Sequence, residues 1–397
     1  MFFTNNTNSS NYKIYLNFVK TNSKHICDVL IGETKLSDDW RIVGNNYKKF
    51  FSKKNNVFVT SRIFQKGAKI NLITLTFKSK LPKTQIRFDK ECNYQNIRHI
   101  EYFKNTPKSI ITYDKNFSSV LLKEDLNPPF IATGLKTNNN LIALVDTGIN
   151  YNLPPFKNNI ARKDDGKLLG YDFWDDNDLP FDNDPRANPF YPRRHGTTVF
   201  SVLMKEAPNI NIAIYRFPAL DMCKFKTLIE EIKKNSIRVV HMSMGSSNKN
   251  DWKCFLDIAK KYEEIIFVVS AGNNQQNIDI KPIYPASFKL KNIITVSSST
   301  NSGQIGRTSN FGHDSVDFLI PAERMLVLDH RGVNAYTGGT SYAVPRMSAL
   351  IARFLIKNKS STLDEVMKFL KKRAVSQNNK LSKYGWIPDP TDNYLIE

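Results

Sequence analysis

Leu141-Ile-Ala-Leu-Val-Asp146-Thr-Gly-Ile149 is five apolar residues running into a carboxylate and then a glycine turn. A short unbroken apolar run before a turn reads as a strand buried on both faces. Similar runs follow at Ile212–Arg216, Val239–Met244, Ile265–Ser270 and Ile293–Ser297. Helical stretches separate them, over 195–205, 223–235 and 250–263, and two more close the chain at about 340–357 and 362–373. Strand and helix in alternation mean βαβ units and a parallel sheet covered on both faces. The fold class is therefore α/β, built on a parallel sheet.

In such a sheet the strand C-terminal ends carry the working residues. Asp146 stands at one. A carboxylate there can accept the Nδ1 proton of a histidine and fix its tautomer. His195, in His195-Gly-Thr-Thr-Val199, opens a helical run where a general base is well placed. Ser341 lies in Gly338-Gly-Thr-Ser341-Tyr-Ala-Val-Pro345 at the start of another helix, where backbone N–H groups point outward. Asn273, in Ser270-Ala-Gly-Asn273, follows a strand, and its amide can donate to an oxyanion. Each segment also has a plain reading: a turn at Asp-Thr-Gly and Gly-Asn-Asn, a helix start at His195, a cap after the glycines at 338–339. Their order and number carry the argument.

Together these segments resemble the subtilisin-like serine proteases, the subtilases, over about residues 115–375. The resemblance implies a doubly wound parallel sheet, with Ser341 as nucleophile, His195 as base, Asp146 as its orienting partner and Asn273 as oxyanion donor. Val240-His-Met-Ser243-Met-Gly245 is similar to the family strand that walls the primary specificity pocket, so Ser243, Met244 and Gly245 are expected to bind substrate. Met244 there suggests an apolar P1 residue. Tyr284-Pro-Ala286 and Arg307-Thr-Ser-Asn-Phe-Gly312 are further matching pieces. The chain departs from the pattern at Thr198, where a second histidine is usual, at Phe200 and Ser201, at Tyr342 in place of methionine, and at Arg346 in place of histidine.

The rest of the chain is read outward from this domain. Residues 1–115 are expected to form a small strand-rich domain and residues 116–397 the peptidase domain. A polar tail at 1–10, a strand at 11–19, a hairpin of 56–64 and 69–78 about Gln65-Lys-Gly-Ala68, and a strand at 108–113 make up the first part. It is read either as an inhibitory prodomain, which an active enzyme would shed near 110–125, or as an accessory domain. No βαββαβ order is visible. Lys48-Lys-Phe-Phe-Ser-Lys-Lys54 is a basic, aromatic patch within it.

The chain has 397 residues and a formal net charge of +20, from 57 Lys and Arg against 37 Asp and Glu. The lysines are scattered, with no arginine-rich arm or zinc spacing, so the charge reads as solvated surface and nucleic acid is not the expected partner. The expected partner is a protein or peptide substrate. Cys27, Cys92, Cys223 and Cys254 stand far apart without a CxxC, which reads as reduced thiols. Neither a signal-peptide pattern nor an 18-residue apolar run is visible, so the expected location is cytoplasmic, or outside after export without an ordinary signal. No cofactor is required. Asp175, Asp176, Asp178, Asp182 and Asp184 crowd one loop densely enough to allow calcium, but no EF-hand pattern is present and a solvated loop is the plainer reading. Two functions from different classes are set against each other: an active serine endopeptidase, and a catalytically impaired subtilase-fold module that binds a peptide or protein. Retention of the full Asp146, His195, Asn273 and Ser341 set favours the first.

Overall fold

A computed structural model describes residues 7–43, 49–52, 54–132, 140–217, 221–376 and 380–391. The chain forms two compact units. The first comprises Met1–Asn127 with Pro185–Pro192, and the second Pro128–Asp184 with Arg193–Glu397.

The first unit opens with a helix, α1 (Thr7–Ile31). The expected strand at 11–19 is therefore a helix, and the tail at 1–10 is helical from Thr7, with residues 1–6 outside the described set. The alternation in Tyr-Lys-Ile-Tyr-Leu-Asn-Phe is a short-window accident. Over the longer span the buried positions are 16, 19, 23, 26, 27 and 30, a three- and four-residue step. Eight antiparallel strands follow, each paired with the next: β1 (Trp40–Ile42), β2 (Lys49–Ser52), β3 (Val57–Lys66), β4 (Lys69–Lys78), β5 (Pro82–Phe88), β6 (Tyr94–Phe103), β7 (Thr106–Tyr113) and β8 (Val120–Asp125). β3, β4 and β7 fall where the sequence placed them. Val59, Leu75, Phe77, Ile86, Phe88 and Ile97 pack one sheet face against Leu16, Val19 and Ile26 of α1. The unit runs on to Asn127, past residue 115, because β8 pairs with β7. Of the basic patch at 48–54, Lys48 and Lys53 lie outside the described residues.

The second unit is built on seven parallel strands in the order β10-β11-β9-β12-β13-β14-β15. They are β9 (Leu141–Asp146), β10 (Gly170–Asp172), β11 (Asn211–Arg216), β12 (Val239–Met242), β13 (Ile266–Ser270), β14 (Ile293–Ser299) and β15 (Phe318–Pro321). The antiparallel pair β16 (Met325–Leu328) and β17 (Asn334–Thr337) stands apart. Between them run α2 (His195–Glu206), α3 (Phe225–Lys234), α4 (Lys253–Lys261), α5 (Thr340–Lys357) and α6 (Leu363–Arg373). Alternate strand residues part to opposite faces. Ile142, Leu144, Val239, Ile266 and Val268 share a core with Val199, Leu203, Met347 and Leu350 of α2 and α5. Ala143, Val145, Val240, Phe267 and Val269 share another with Leu228, Ile229, Phe255 and Ile258 of α3 and α4. The continuous apolar runs of the sequence are this double covering. Among the described residues no helix is long and apolar enough to cross a membrane.

The reading of the cysteines as reduced thiols is corrected. Cys27 is joined to Cys92, with Cα atoms 5.8 Å apart, and Cys223 to Cys254, with Cα atoms 5.0 Å apart. Distance along the chain hid both pairs: the first ties α1 to the β5–β6 turn, and the second ties the residues before α3 to α4.

Candidate active site

Asp146 ends β9 and is buried. His195 begins α2, and its Nδ1 lies 2.8 Å from Asp146 Oδ1. The two segments interleave because residue 196 is glycine: a Cβ there would stand 2.0 Å from the Gly148 carbonyl oxygen. Thr147 N–H also donates to Asp146 Oδ1, at 2.7 Å. Burial by itself pulls the His195 pKa down, but the charge and hydrogen bond of Asp146, with Asp182 and Asp184 beyond, outweigh it and hold the imidazole above its ordinary value. Burial pushes Asp146 up, yet the charge and hydrogen bond of His195 and the Thr147 N–H leave it below the usual carboxylate range. The Asp146 side chain is 3% exposed and that of His195 30%, so the imidazole keeps an open side.

Asp182 is the residue sequence reasoning missed here. Fully buried, its carboxylate accepts from Thr147 Oγ1 at 2.6 Å, from Thr197 N–H at 2.9 Å and from the Thr197 hydroxyl. Thr147 follows Asp146 and Thr197 follows His195 by two, so one carboxylate ties both segments. Thr147 Oγ1 accepts in turn from Gly196 N–H (2.9 Å), and Thr197 Oγ1 from Asn150 N–H (2.9 Å). Two hydroxyls beside two candidate catalytic residues were a signal that a shared acceptor exists, but nothing in the spacing pointed to Asp182.

The nucleophile candidate is held differently. Ser341 is the second residue of α5, after Gly339 at φ +119°. A Cβ on Gly339 would come 2.9 Å from Asn273 Oδ1. That oxygen accepts from Thr340 N–H at 3.0 Å and from Thr340 Oγ1 at 3.1 Å. With its oxygen committed, the Asn273 amide keeps its nitrogen as donor. The Ser341 carbonyl accepts from Ser243 Oγ at 3.0 Å, and Ser243 Oγ lies 2.9 Å from His241 Nε2. The hydroxyl has one proton and gives it to the carbonyl, so His241 Nε2–H must donate to Ser243. His241 is fully buried, and burial pushes its pKa down to about 3, which keeps this donor neutral. It too was missed, although a lone histidine inside an apolar strand was a visible signal.

The departures around the centre are matched to one another. Thr198 Oγ1 donates to the His195 carbonyl at 2.7 Å, so Tyr342 OH, 3.0 Å away, donates to Thr198. The Tyr342 ring centroid is 6.2 Å from that of His195. Phe200 is buried against Phe156, and Ser201 Oγ donates to the Thr198 carbonyl. Arg346 pairs with Glu206 at 2.8 Å and donates to the Pro321 carbonyl.

Beside Asn273 opens a cavity of about 320 Å³ lined by Gly245, Ser246, Ser247, Ser270, Gly272, Asn274, Gln276 and Ile283. Of the three expected pocket residues only Gly245 lines it. Ser243 turns to the Ser341 carbonyl, and Met244 packs, half-buried, against the core beneath α3 and α4. The lining holds no charge and is mostly hydroxyl, amide and glycine.

Much of the acidic loop is engaged by protein groups. Asp175 and Asp172 both lie 2.7 Å from Arg216 Nη1, and Arg216 stacks over Trp174. Asp176 accepts from Tyr171 OH, Asp182 holds the two threonines, and the backbone of Asp184 bridges Arg193. Among the described residues no three acids, histidines or cysteines are grouped to hold a metal.

A buried parallel sheet whose strand and helix ends bring a carboxylate to a histidine, with a serine at the start of α5 and an asparagine after β13 that accepts from the same helix start, defines a class, the serine hydrolases of subtilisin-like fold. Residues 137–386 match the Subtilase family model of the S8 peptidases. The chain belongs to the subtilase family of serine proteases. It is 28% identical over 186 residues to Subtilisin-like protease 2 of Plasmodium falciparum (isolate 3D7), a match that covers 42% of this chain and 14% of that protein. It is also 28% identical over 268 residues to a thermophilic serine proteinase of Bacillus sp. (strain AK1), covering 62% of this chain and 59% of that one. The matches thus span less than two thirds of these relatives. Among solved structures, a lanthipeptide protease superposes with a TM-score of 0.54 at 18% identity, over 65% of this chain and 87% of that chain. A cold adapted subtilisin-like serine proteinase does so with 0.51 at 21%, over 66% and 94%.

Proposed function

We propose that the chain is a serine endopeptidase acting through Asp146, His195, Ser341 and Asn273. The observation that carries this is the 2.8 Å bond between His195 Nδ1 and buried Asp146. It commits Nδ1–H to the carboxylate and leaves Nε2 as the base. Ser341 Oγ then bonds to the peptide carbonyl carbon as its proton passes to His195 Nε2. The negative oxygen is met by the Asn273 amide, oriented by Thr340, and by the Ser341 backbone N–H at the start of α5. His195 returns the proton to the leaving nitrogen as the C–N bond breaks. Water repeats the sequence on the acyl-enzyme and regenerates Ser341. Asp182 positions the acid and base segments without touching substrate.

The substrate is a protein or peptide, with its P1 side chain in the uncharged cavity lined by Gly245, Ser246 and Asn274. The mechanism calls on no cofactor. The two disulfides support action in an oxidising compartment, where such pairs persist. Reaction with a fluorophosphonate probe tests the reading: wild type is expected to label at Ser341, and Ser341→Ala not to label. A properly folded, mature wild type that takes no label overturns it in favour of a binding module.

A further inference from the structure

The first unit contains eight residues that its own stretch of sequence does not supply. Pro185–Pro192 leaves the peptidase sequence after Asp184, belongs to the first unit, and re-enters the second at Arg193. It is embedded in the sheet. Phe190 is 1% exposed, in a core with Ile100 of β6, Ile110 of β7 and Leu126. The next ring, Tyr191, lies under two guanidinium groups, with Arg87 3.9 Å and Arg98 4.6 Å from its centroid. Its hydroxyl donates to Asn96 Oδ1 at 2.7 Å. Asn188 Nδ2 donates to Gln85 Oε1 at 3.4 Å, while Asn188 Oδ1 accepts from Phe190 N–H and so shapes the turn. Arg98 is itself fixed by Glu124 of β8, 2.9 Å away.

These partners come from β5, β6, β7, β8 and the residues just beyond. A buried phenylalanine and a tyrosine ring in contact with two guanidinium groups are of the kind that dominates tight protein interfaces. The chain also passes between the units three times, after residues 127, 184 and 192. Cutting the first crossing therefore removes only one of three connections and leaves the anchors in place.

We propose that the first unit is a permanent, anchored part of the protein rather than a releasable prodomain. The sheet face made by Gln85, Arg87, Asn96, Arg98, Ile100 and Ile110 is a binding surface, and its occupant is the chain's own Asn188-Pro-Phe-Tyr-Pro192. If the stretch joining the units is cleaved, residues 1–127 remain bound as a non-covalent subunit.

The test uses the full chain carrying Ser341→Ala, with residues 133–139 replaced by the recognition sequence of a site-specific protease. After complete cutting, shown on a denaturing gel, both pieces are expected to co-elute at the full-chain mass in size exclusion. Separate elution of the N-terminal piece overturns the proposal. In the same background Phe190→Ala with Tyr191→Ala is expected to weaken retention by at least about a hundredfold and release the piece at micromolar concentration. Arg87→Gln with Arg98→Gln, made from the sheet side and checked for native circular dichroism before cutting, is expected to weaken it as well. Undiminished co-elution of either folded variant overturns the assignment of the surface. The readout is binding, so it is independent of whether the chain is an active protease.

Discussion

The histidine side of the candidate site and its serine side are held by opposite means. Around His195 the structure uses charge: Asp146 in direct contact, and Asp182 tying Thr147 to Thr197 behind it. Around Ser341 it uses neutral groups only: the Asn273 amide, the Thr340 hydroxyl, and the His241 to Ser243 to Ser341 chain. The difference separates what titrates from what does not. Protonation near neutral pH falls on the charged side, on His195, held above its ordinary value, and on Asp182, which burial pushes up to about 6, while His241, pushed down to about 3, keeps its donor through the same range.

The comparison is broken most severely from the charged side. Asp146→Asn exchanges an acceptor for an amide and releases the histidine tautomer. Its kcat/KM is expected to fall about 10⁴-fold, and a loss under tenfold in steady-state assays refutes the orienting role. Asn273→Ala is next, with kcat expected to drop about 10²- to 10³-fold at nearly constant KM. A change confined to KM instead makes Asn273 a binding residue. His241→Ala should reduce kcat by about tenfold, the scale of one lost buried hydrogen bond. Ser243→Ala should do the same, and the double variant little more, since the two act in one chain. Additive losses disconnect them.

The titration is subtler. A raised His195 pKa keeps the imidazole protonated, and the base disabled, up to a higher pH. The acid limb of kcat/KM should therefore turn above about 6.5, the ordinary histidine value. Asp182→Asn removes one of the charges that raise it, so the limb should move to lower pH. His241→Ala should leave the limb where it is. A limb that moves with His241 and not with Asp182 reverses the contrast. The smallest effect belongs to the acidic loop: with Asp172 and Asp175 engaged by Arg216, a calcium chelator is expected to leave activity and thermal stability unchanged.

The parallel sheet was legible because both of its faces are buried, so β9 and β11 to β14 read as apolar runs, while the short β10, Gly170-Tyr-Asp172, did not. The candidate catalytic residues were legible because each sits at a strand or helix end beside a glycine. The first unit was harder. One face of its sheet carries Gln85, Arg87, Asn96 and Arg98, so β5 and β6 offered no apolar run, and α1 was mistaken for a strand over seven alternating residues. Long-range pairings left no local trace. Cys27 with Cys92, Asp182 with Thr147 and Thr197, and Tyr191 between Arg87 and Arg98 join residues that only the folded chain makes neighbours.

The bond from Tyr342 to Thr198 has a consequence for how this site can change over generations. Each partner departs from the usual subtilase residue, and each depends on the other. Reverting Thr198 alone strands a tyrosine hydroxyl beside the histidine, and reverting Tyr342 alone withdraws the donor that Thr198 accepts. Arg346 and Glu206 are bound by the same reciprocity, since loss of either leaves its partner's charge without its counterion. Changing one partner alone therefore costs a hydrogen bond or an ion pair, and an exchange made in pairs is expected to be tolerated better. Both pairs join α2 to α5, so a segment grafted from a relative is expected to be tolerated best when both helices travel together.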